Sequence, residues 1–260
     1  MSNLHIITTV LDSNCYDKTI KHNPFMNCYK ITAFNQEKDN IIIPKRYNSF
    51  IKEKIFTDKI KDTWLVFCHQ DFGFLNFPLE ILEKQNKNFL YGPSGVRKRK
   101  FGNLKFKLWK DFLPIPYIKT KVLALGQIWQ GYDPETFKKA NRKNPFKVGN
   151  EYFYFSGKQL EQPEVVDTVD CMCLIVHSSL IKKYKLLFDE KLDWHCYSED
   201  FSLNAKHKHG ILTKAVQMDC KHLSRGNSFS KGFEKCFGYI TNKYKNCCFC
   251  TACRNTYDKY

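Results

Sequence analysis

This sequence predicts an α/β fold, with a mostly parallel central sheet flanked by helices. Three observations carry that expectation. Strand-like and helix-like stretches alternate through the first half of the chain, the order that builds layered α/β domains. One stretch, Trp64–Cys68, is apolar at every position, as suits a strand covered on both faces. Polar residues with useful chemistry directly follow strand-like runs, and open sheets bind ligands at the carboxyl ends of their strands.

In chain order, Leu4–Val10 reads as an opening core strand, with Tyr29–Phe34 and Asn40–Ile43 as further short strands. Phe50, Ile51, Ile55, Phe56 and Ile60 recur at helical spacing and predict a helix over Ser49–Lys61. After Trp64–Cys68 come His69-Gln70-Asp71, a helix over Phe77–Lys87 and a strand at Phe89–Tyr91 that ends in Gly-Pro-Ser-Gly. Val122–Ile128 reads as a strand, amid prolines 114, 116, 134 and 145 that point to loops. Val165–Val176 holds two strand-like pieces broken by Asp167 and Asp170. A helix is expected at Ser179–Tyr184, and another at Glu199–His209, stopped by Gly210. Ile211–Met218 is a last strand, leading to Cys220-Lys221-His222.

The 260 residues, 43% hydrophobic and 26% charged, suit one α/β domain at 1–230 with a basic, aromatic, cysteine-rich tail at 231–260. The net charge of +16 invites a nucleic-acid partner, but the lysines are spread along the chain rather than gathered in one stripe. Local clusters at Arg97–Lys100 and Lys138–Lys147 read as solvated or phosphate-facing edges, so no nucleic acid is expected. Such a surface also suits an anionic membrane leaflet. Cys68, Cys171 and Cys173 lie inside apolar runs and read as small core residues rather than a disulfide framework. With neither a signal-peptide pattern nor an apolar stretch of spanning length, a cytoplasmic setting is expected.

Three places combine carboxylates and imidazoles near strand ends or a helix start: Asp71, the pair Glu199-Asp200, and His222. These groups suit Mn²⁺ or Mg²⁺. A departing diphosphate needs such an ion, and an acceptor hydroxyl needs a carboxylate to take its proton. Taken singly, Glu199 and Asp200 are also ordinary first-turn acids, and His222 an ordinary hydrogen-bonded histidine.

At these residues the chain resembles a family. WLVFCHQDFGF at Trp64–Phe74 is similar to the strand and His-Gln-Asp signature of a family-2-like group of GT-A glycosyltransferases, where the tripeptide replaces Asp-x-Asp. Tyr47-Asn48, LYGPSGVRK at Leu90–Lys98 and LGQIWQG at Leu125–Gly131 fit the same group. So does Val166–Gly226, with its Phe-Asp-Glu, Tyr-x-x-Asp and His-x-Ser-x-Gly elements in family order. The resemblance spans Leu4–Gly226 and implies a GT-A, Rossmann-like fold. It implies an inverting transfer from a nucleotide-sugar to a hydroxyl on a glycan, lipid-linked or protein acceptor. Asp71 and His222 would hold the metal. Thr9, Val10 and Asn48 would border the nucleotide, with Gln70 near its ribose or phosphate. Asp200 or its neighbour Glu199 would be the base, and Asp170, Trp194 and Trp129 would line the acceptor side. Two departures stand out: Glu199-Asp200 continues as Phe201-Ser202 rather than into a further acid, and Cys171 stands where many relatives have glycine.

In the tail, Cys250-x-x-Cys253 has the bite of a zinc knuckle, set against reduced thiols on a terminal helix. Phe233, Phe237, Tyr239, Ile240 and Tyr244 beside Lys235, Lys243 and Lys245 predict a basic amphipathic helix. Such a helix either packs on the catalytic domain or makes a peripheral membrane contact. Two competing readings remain: a basic nucleic-acid-binding module with a cysteine-rich metal site, and a GT-A-like domain without activity.

Overall fold

The computed structural model describes residues 3–36, 41–98, 103–109, 113–119, 122–132, 145–223, 230–252 and 256. The first half holds strands β1 (Asn3–Val10), β2 (Lys30–Asn35), β3 (Thr63–His69), β4 (Phe72–Phe74), β5 (Leu90–Gly92), β6 (Gly95–Lys98), β7 (Asn103–Trp109) and β8 (Leu113–Lys119). The second half adds β9 (Val122–Leu125), β10 (Ile128–Tyr132), β11 (Phe146–Val148), β12 (Glu151–Ser156), β13 (Glu164–Val166), β14 (Thr168–Val169), β15 (Cys173–His177), β16 (Thr213–Ala215) and β17 (Cys220–Leu223). The helices are α1 (Ser13–Tyr16), α2 (Ile43–Phe50), α3 (Pro78–Leu82), α4 (Ser178–Tyr184), α5 (Tyr197–His209) and α6 (Lys231–Lys243).

Seven strands form the main sheet in the order β13-β16-β5-β15-β3-β1-β2. The pairings make β2, β1, β3, β5 and β16 run one way and β15 and β13 the other, so the sheet is mostly parallel. Side chains alternate across β3 as a strand's period of two requires. Leu65 and Phe67 enter one core with Tyr47, Phe50, Leu174 and Phe201, while Trp64, Val66 and Cys68 enter another with Ile6, Cys173 and Ile175. This double burial explains why the Trp64 run carries no polar residue before His69.

A five-stranded sheet, β11-β12-β10-β17-β4, stands beside the first. It begins where β3 ends, because only Gln70 and Asp71 separate β3 from β4.

Several element boundaries differ from the sequence expectation. Residue 40 lies outside the described residues, and Ile43 starts a helix instead of closing a strand. Pro44 sits in the first turn, where its missing N–H and fixed φ suit a helix start. The helix expected over Ser49–Lys61 therefore begins six residues earlier and ends as a π turn at Ile51–Ile55. The single strand expected over Val122–Ile128 is two, β9 and β10. They part at Gly126, whose φ of +83° and close approach to the Pro93 carbonyl exclude a side chain. Gly210, at φ +68°, ends α5 as expected.

The tail helix α6 buries Phe233, Cys236, Phe237 and Ile240 in the core that holds Phe67 and Phe201. Its apolar face is thus committed to the domain rather than displayed. Among the described residues no helix is long and apolar enough to cross a membrane.

Candidate metal and transfer site

Backbone pairing, more than sequence proximity, assembles the site. β4 pairs with β17 so that Phe72 faces His222, and the Leu223 N–H donates to the Asp71 carbonyl at 2.9 Å. This register sets His222 beside the acid that follows β3. Asp71 Oδ1 lies 3.4 Å from His222 Nε2 and 3.8 Å from His69 Nδ1. His69, Asp71 and His222 can place one ligand atom each within 4.8 Å of one another. No other such group of three occurs among the described residues.

His222 is aimed by a residue of the neighbouring strand. Parallel pairing puts Gln130 opposite it, with Gln130 Oε1 3.3 Å from His222 Nδ1. That leaves Nε2 turned to Asp71, the arrangement in which an outer amide or carboxylate orients a ligating imidazole.

The chemistry of this donor set fits a divalent cation. Asp71 Oδ1 is buried and makes no hydrogen bond, which is costly for a carboxylate unless a charge comes to it. Burial works to raise the Asp71 pKa, but the two imidazoles outweigh it and hold the acid below its ordinary range. Burial likewise works to lower the His222 pKa, and Asp71 overrides it upwards. Burial wins at His69, which is held below the usual imidazole value. One carboxylate and two imidazoles thus converge as a hard oxygen donor and two borderline nitrogen donors.

Beside the cluster is a pocket of about 160 Å³ lined by Thr9, Leu11, Ile43, His69, Gln70, Asp71 and Trp194. Thr9 is opposite His69 across the β1–β3 ladder. Gln70 uses its Oε1 to accept from the Leu11 and Asp12 N–H groups, at 2.5 and 2.9 Å, and so fixes the loop leaving β1. Val10 is buried at the end of β1 and does not line the pocket.

The two acids of α5 face different surroundings. Glu199 is buried and accepts from the Cys171 thiol at 2.7 Å. Burial, reinforced by the charge of Asp170, pushes its pKa up to about 8. The charge of Asp170 also acts on His69 and His222. Asp200 turns to the tail helix instead. Its Oδ1 accepts from Lys243 Nζ at 2.7 Å and from the Tyr244 hydroxyl at 3.0 Å. Asp200 lines a separate polar pocket with Lys243, Asp189 and Lys208.

Other sequence-predicted site residues also have defined places. Asn48 is saturated: its amide donates to the Phe188 carbonyl and to Glu190, and its oxygen accepts from the Phe188 N–H, each at 2.9 Å. It holds the 188–190 loop and does not line the pocket. Trp129 packs edge-on against Phe146 and Phe155 and is tilted against Phe153. It lies on the face of β10 opposite Gln130, because adjacent residues of a strand alternate. Cys253 lies outside the described residues, and so does the Cys250–Cys253 pair as a unit. Cys250 itself is buried, its carbonyl accepting from Thr168. Sequence reading passed over His69 as a ligand and Gln130 as its partner's orienter. The His-Gln-Asp run held the signal for the first; the second depends on a pairing across 92 residues.

No family model and no curated protein matches the sequence. Among solved structures the chain is similar to S. aureus TarS 1–349, a staphylococcal glycosyltransferase, at 12% identity and a TM-score of 0.42. The similarity covers 93% of this chain and 65% of that one. A likeness at that level carries no argument about chemistry, and the functional reading rests on the site itself.

Proposed function

We propose that this chain is a cation-dependent, inverting glycosyltransferase that moves a sugar from a nucleotide-diphosphate sugar to an acceptor hydroxyl. The observation that carries the reading is the convergence of His69, Asp71 and His222 at the end of β3, with the buried Asp71 Oδ1 facing both imidazoles at 3.4 and 3.8 Å. His69, Asp71 and His222 would hold Mn²⁺ or Mg²⁺. Bound there, the ion would offset negative charge on the diphosphate.

The chain's own residues do the rest. Thr9 and Gln70 border the donor beside the cluster. Glu199 accepts the proton of the acceptor hydroxyl as that oxygen attacks the anomeric carbon opposite the leaving diphosphate, which inverts the centre. A carboxylate with a pKa near 8 is a stronger base than an ordinary glutamate once ionised. Trp194 and Asp170 border the acceptor, which is a glycan, a lipid-linked saccharide or a protein.

The test is binding of a nucleoside diphosphate by the purified protein with Mn²⁺, followed by donor hydrolysis across a panel of nucleotide-sugars. Slow hydrolysis that chelation suppresses is the expected outcome. No binding and no turnover with any donor, metal present, would overturn the reading. Steep salt-dependent affinity for DNA or RNA that is indifferent to Asp71→Ala would favour a nucleic-acid module instead.

A further inference from the structure

We infer that Asp200 and Lys243 are a positioning pair through which the C-terminal helix holds Glu199 in its working orientation. The inference rests on the reading of Glu199 as base, and extends it to a part of the chain that looks like an appendage.

Consecutive residues on a helix point about 100° apart. On the first turn of α5, Glu199 faces Cys171 and Asp170 while Asp200 faces α6. Fixing the rotation of one therefore fixes the other. The fixing is thorough. Asp200 is 1% exposed and takes hydrogen bonds from Lys243 and Tyr244. Lys243 also donates to Asp189 Oδ2 at 2.6 Å, and Tyr239 donates to the same oxygen at 2.8 Å. Asp189 follows Phe188, whose backbone Asn48 of α2 grips from both sides. One lysine thus joins α5, the 188–190 loop and α6, with α2 behind them.

The turn that is held has reason to need holding. Cys196, at the N-cap of α5, has a φ of +61°, a left-handed conformation that costs a non-glycine residue energy. An ion pair whose carboxylate is buried and whose lysine is only partly exposed resists relaxation of that turn. A surface pair would not.

Lys243→Met, Asp200→Asn, the double variant and Lys243→Arg test the pair. The double variant matters because Lys243→Met alone leaves a buried carboxylate unpaired. Sugar transfer should fall about ten- to a hundredfold in the first three, and the double should lose no more than the worse single. Lys243→Arg should recover most of it. Mn²⁺-dependent affinity for nucleoside diphosphate should stay within about twofold, and hydrogen exchange should quicken at amides 197–201. Two outcomes would overturn the pair: wild-type transfer in the folded variants, or a far larger loss in Asp200→Asn alone that ignores Lys243. Wild-type protein that neither binds nucleotide nor turns over any donor would fell the functional reading instead. Unchanged exchange at 197–201 would even then count against the pair.

Discussion

Two acid-centred clusters among the described residues, one around Asp71 and one around Asp200, differ in what they leave unsatisfied. Around Asp71 the partners are two imidazoles at 3.4 and 3.8 Å, and its buried Oδ1 makes no hydrogen bond. Around Asp200 the partners are a lysine and a tyrosine at 2.7 and 3.0 Å, and the carboxylate is engaged. An incomplete shell of donors is poised to receive something, whereas a complete one holds its surroundings still. Sequence places both acids near the ends of elements and offers both for chemistry. Only the second partner of each tells them apart.

The sharpest way to break that comparison is Asp71→Ala. It removes the only carboxylate of the cluster, and leaves His69 and His222 without their nearest anion. Calorimetry should find Mn²⁺-dependent binding of nucleoside diphosphate weakened about a hundredfold, with sugar transfer lost. Binding equal to wild type would place the cation elsewhere and dissolve the contrast.

Next in size is Glu199→Gln. Transfer should drop about 10²- to 10⁴-fold with nucleotide binding retained. In wild type the rate should climb with pH and level off above about 8, because the base works only when deprotonated. Stability moves the other way. The folded state keeps the Glu199 proton from about pH 4.5, where the unfolded chain loses it, up to about 8, so this group's contribution declines with rising pH across that window. Glu199→Gln removes the decline, and the cation-free variant should melt higher than wild type by a margin that widens from pH 5 to 8. A constant margin would mean that Glu199 is ionised throughout.

How much of this was readable beforehand follows the range of the interactions. The β3 strand was legible because burial on both faces writes itself into five adjacent residues, Trp64–Cys68. The α5 helix was legible from Gly210 and the acids of its first turn. The different surroundings of Glu199 and Asp200 were not, since they depend on Lys243, 43 residues beyond Asp200, and on Cys171, 28 residues before Glu199. The β11–β12 hairpin went unread because Glu151–Ser156 alternates in burial only weakly. Its aromatics at adjacent positions blur the period of two by which a half-buried strand is recognised.

Asn48→Ala sharpens the contrast from the saturated side. The resemblance places Asn48 at the nucleotide; its three hydrogen bonds place it on the 188–190 loop. Truncation should cost about 1–3 kcal/mol of stability in denaturant melts, the range for leaving buried partners unsatisfied. Nucleotide affinity in the folded variant should change less than threefold. A large loss of affinity at unchanged stability would restore the nucleotide contact.

The smallest expected effect comes from Cys171, and it separates aiming from catalysis. Burial and the nearby Glu199 carboxylate keep this group a thiol, able to donate the hydrogen bond that lowers the Glu199 pKa against the larger effect of burial. Cys171→Ala deletes the donor and leaves the carboxylate where it is. The pH at which transfer levels off should move upward by less than about one unit, and the rate at pH 7 should fall by less than about tenfold, the drop in ionised Glu199 that such a shift produces. Cys171→Ser supplies a hydroxyl donor in nearly the same place and should keep the wild-type profile. If alanine and serine behave alike, the thiol only fills space beside Glu199, and burial and Asp170 alone set the base.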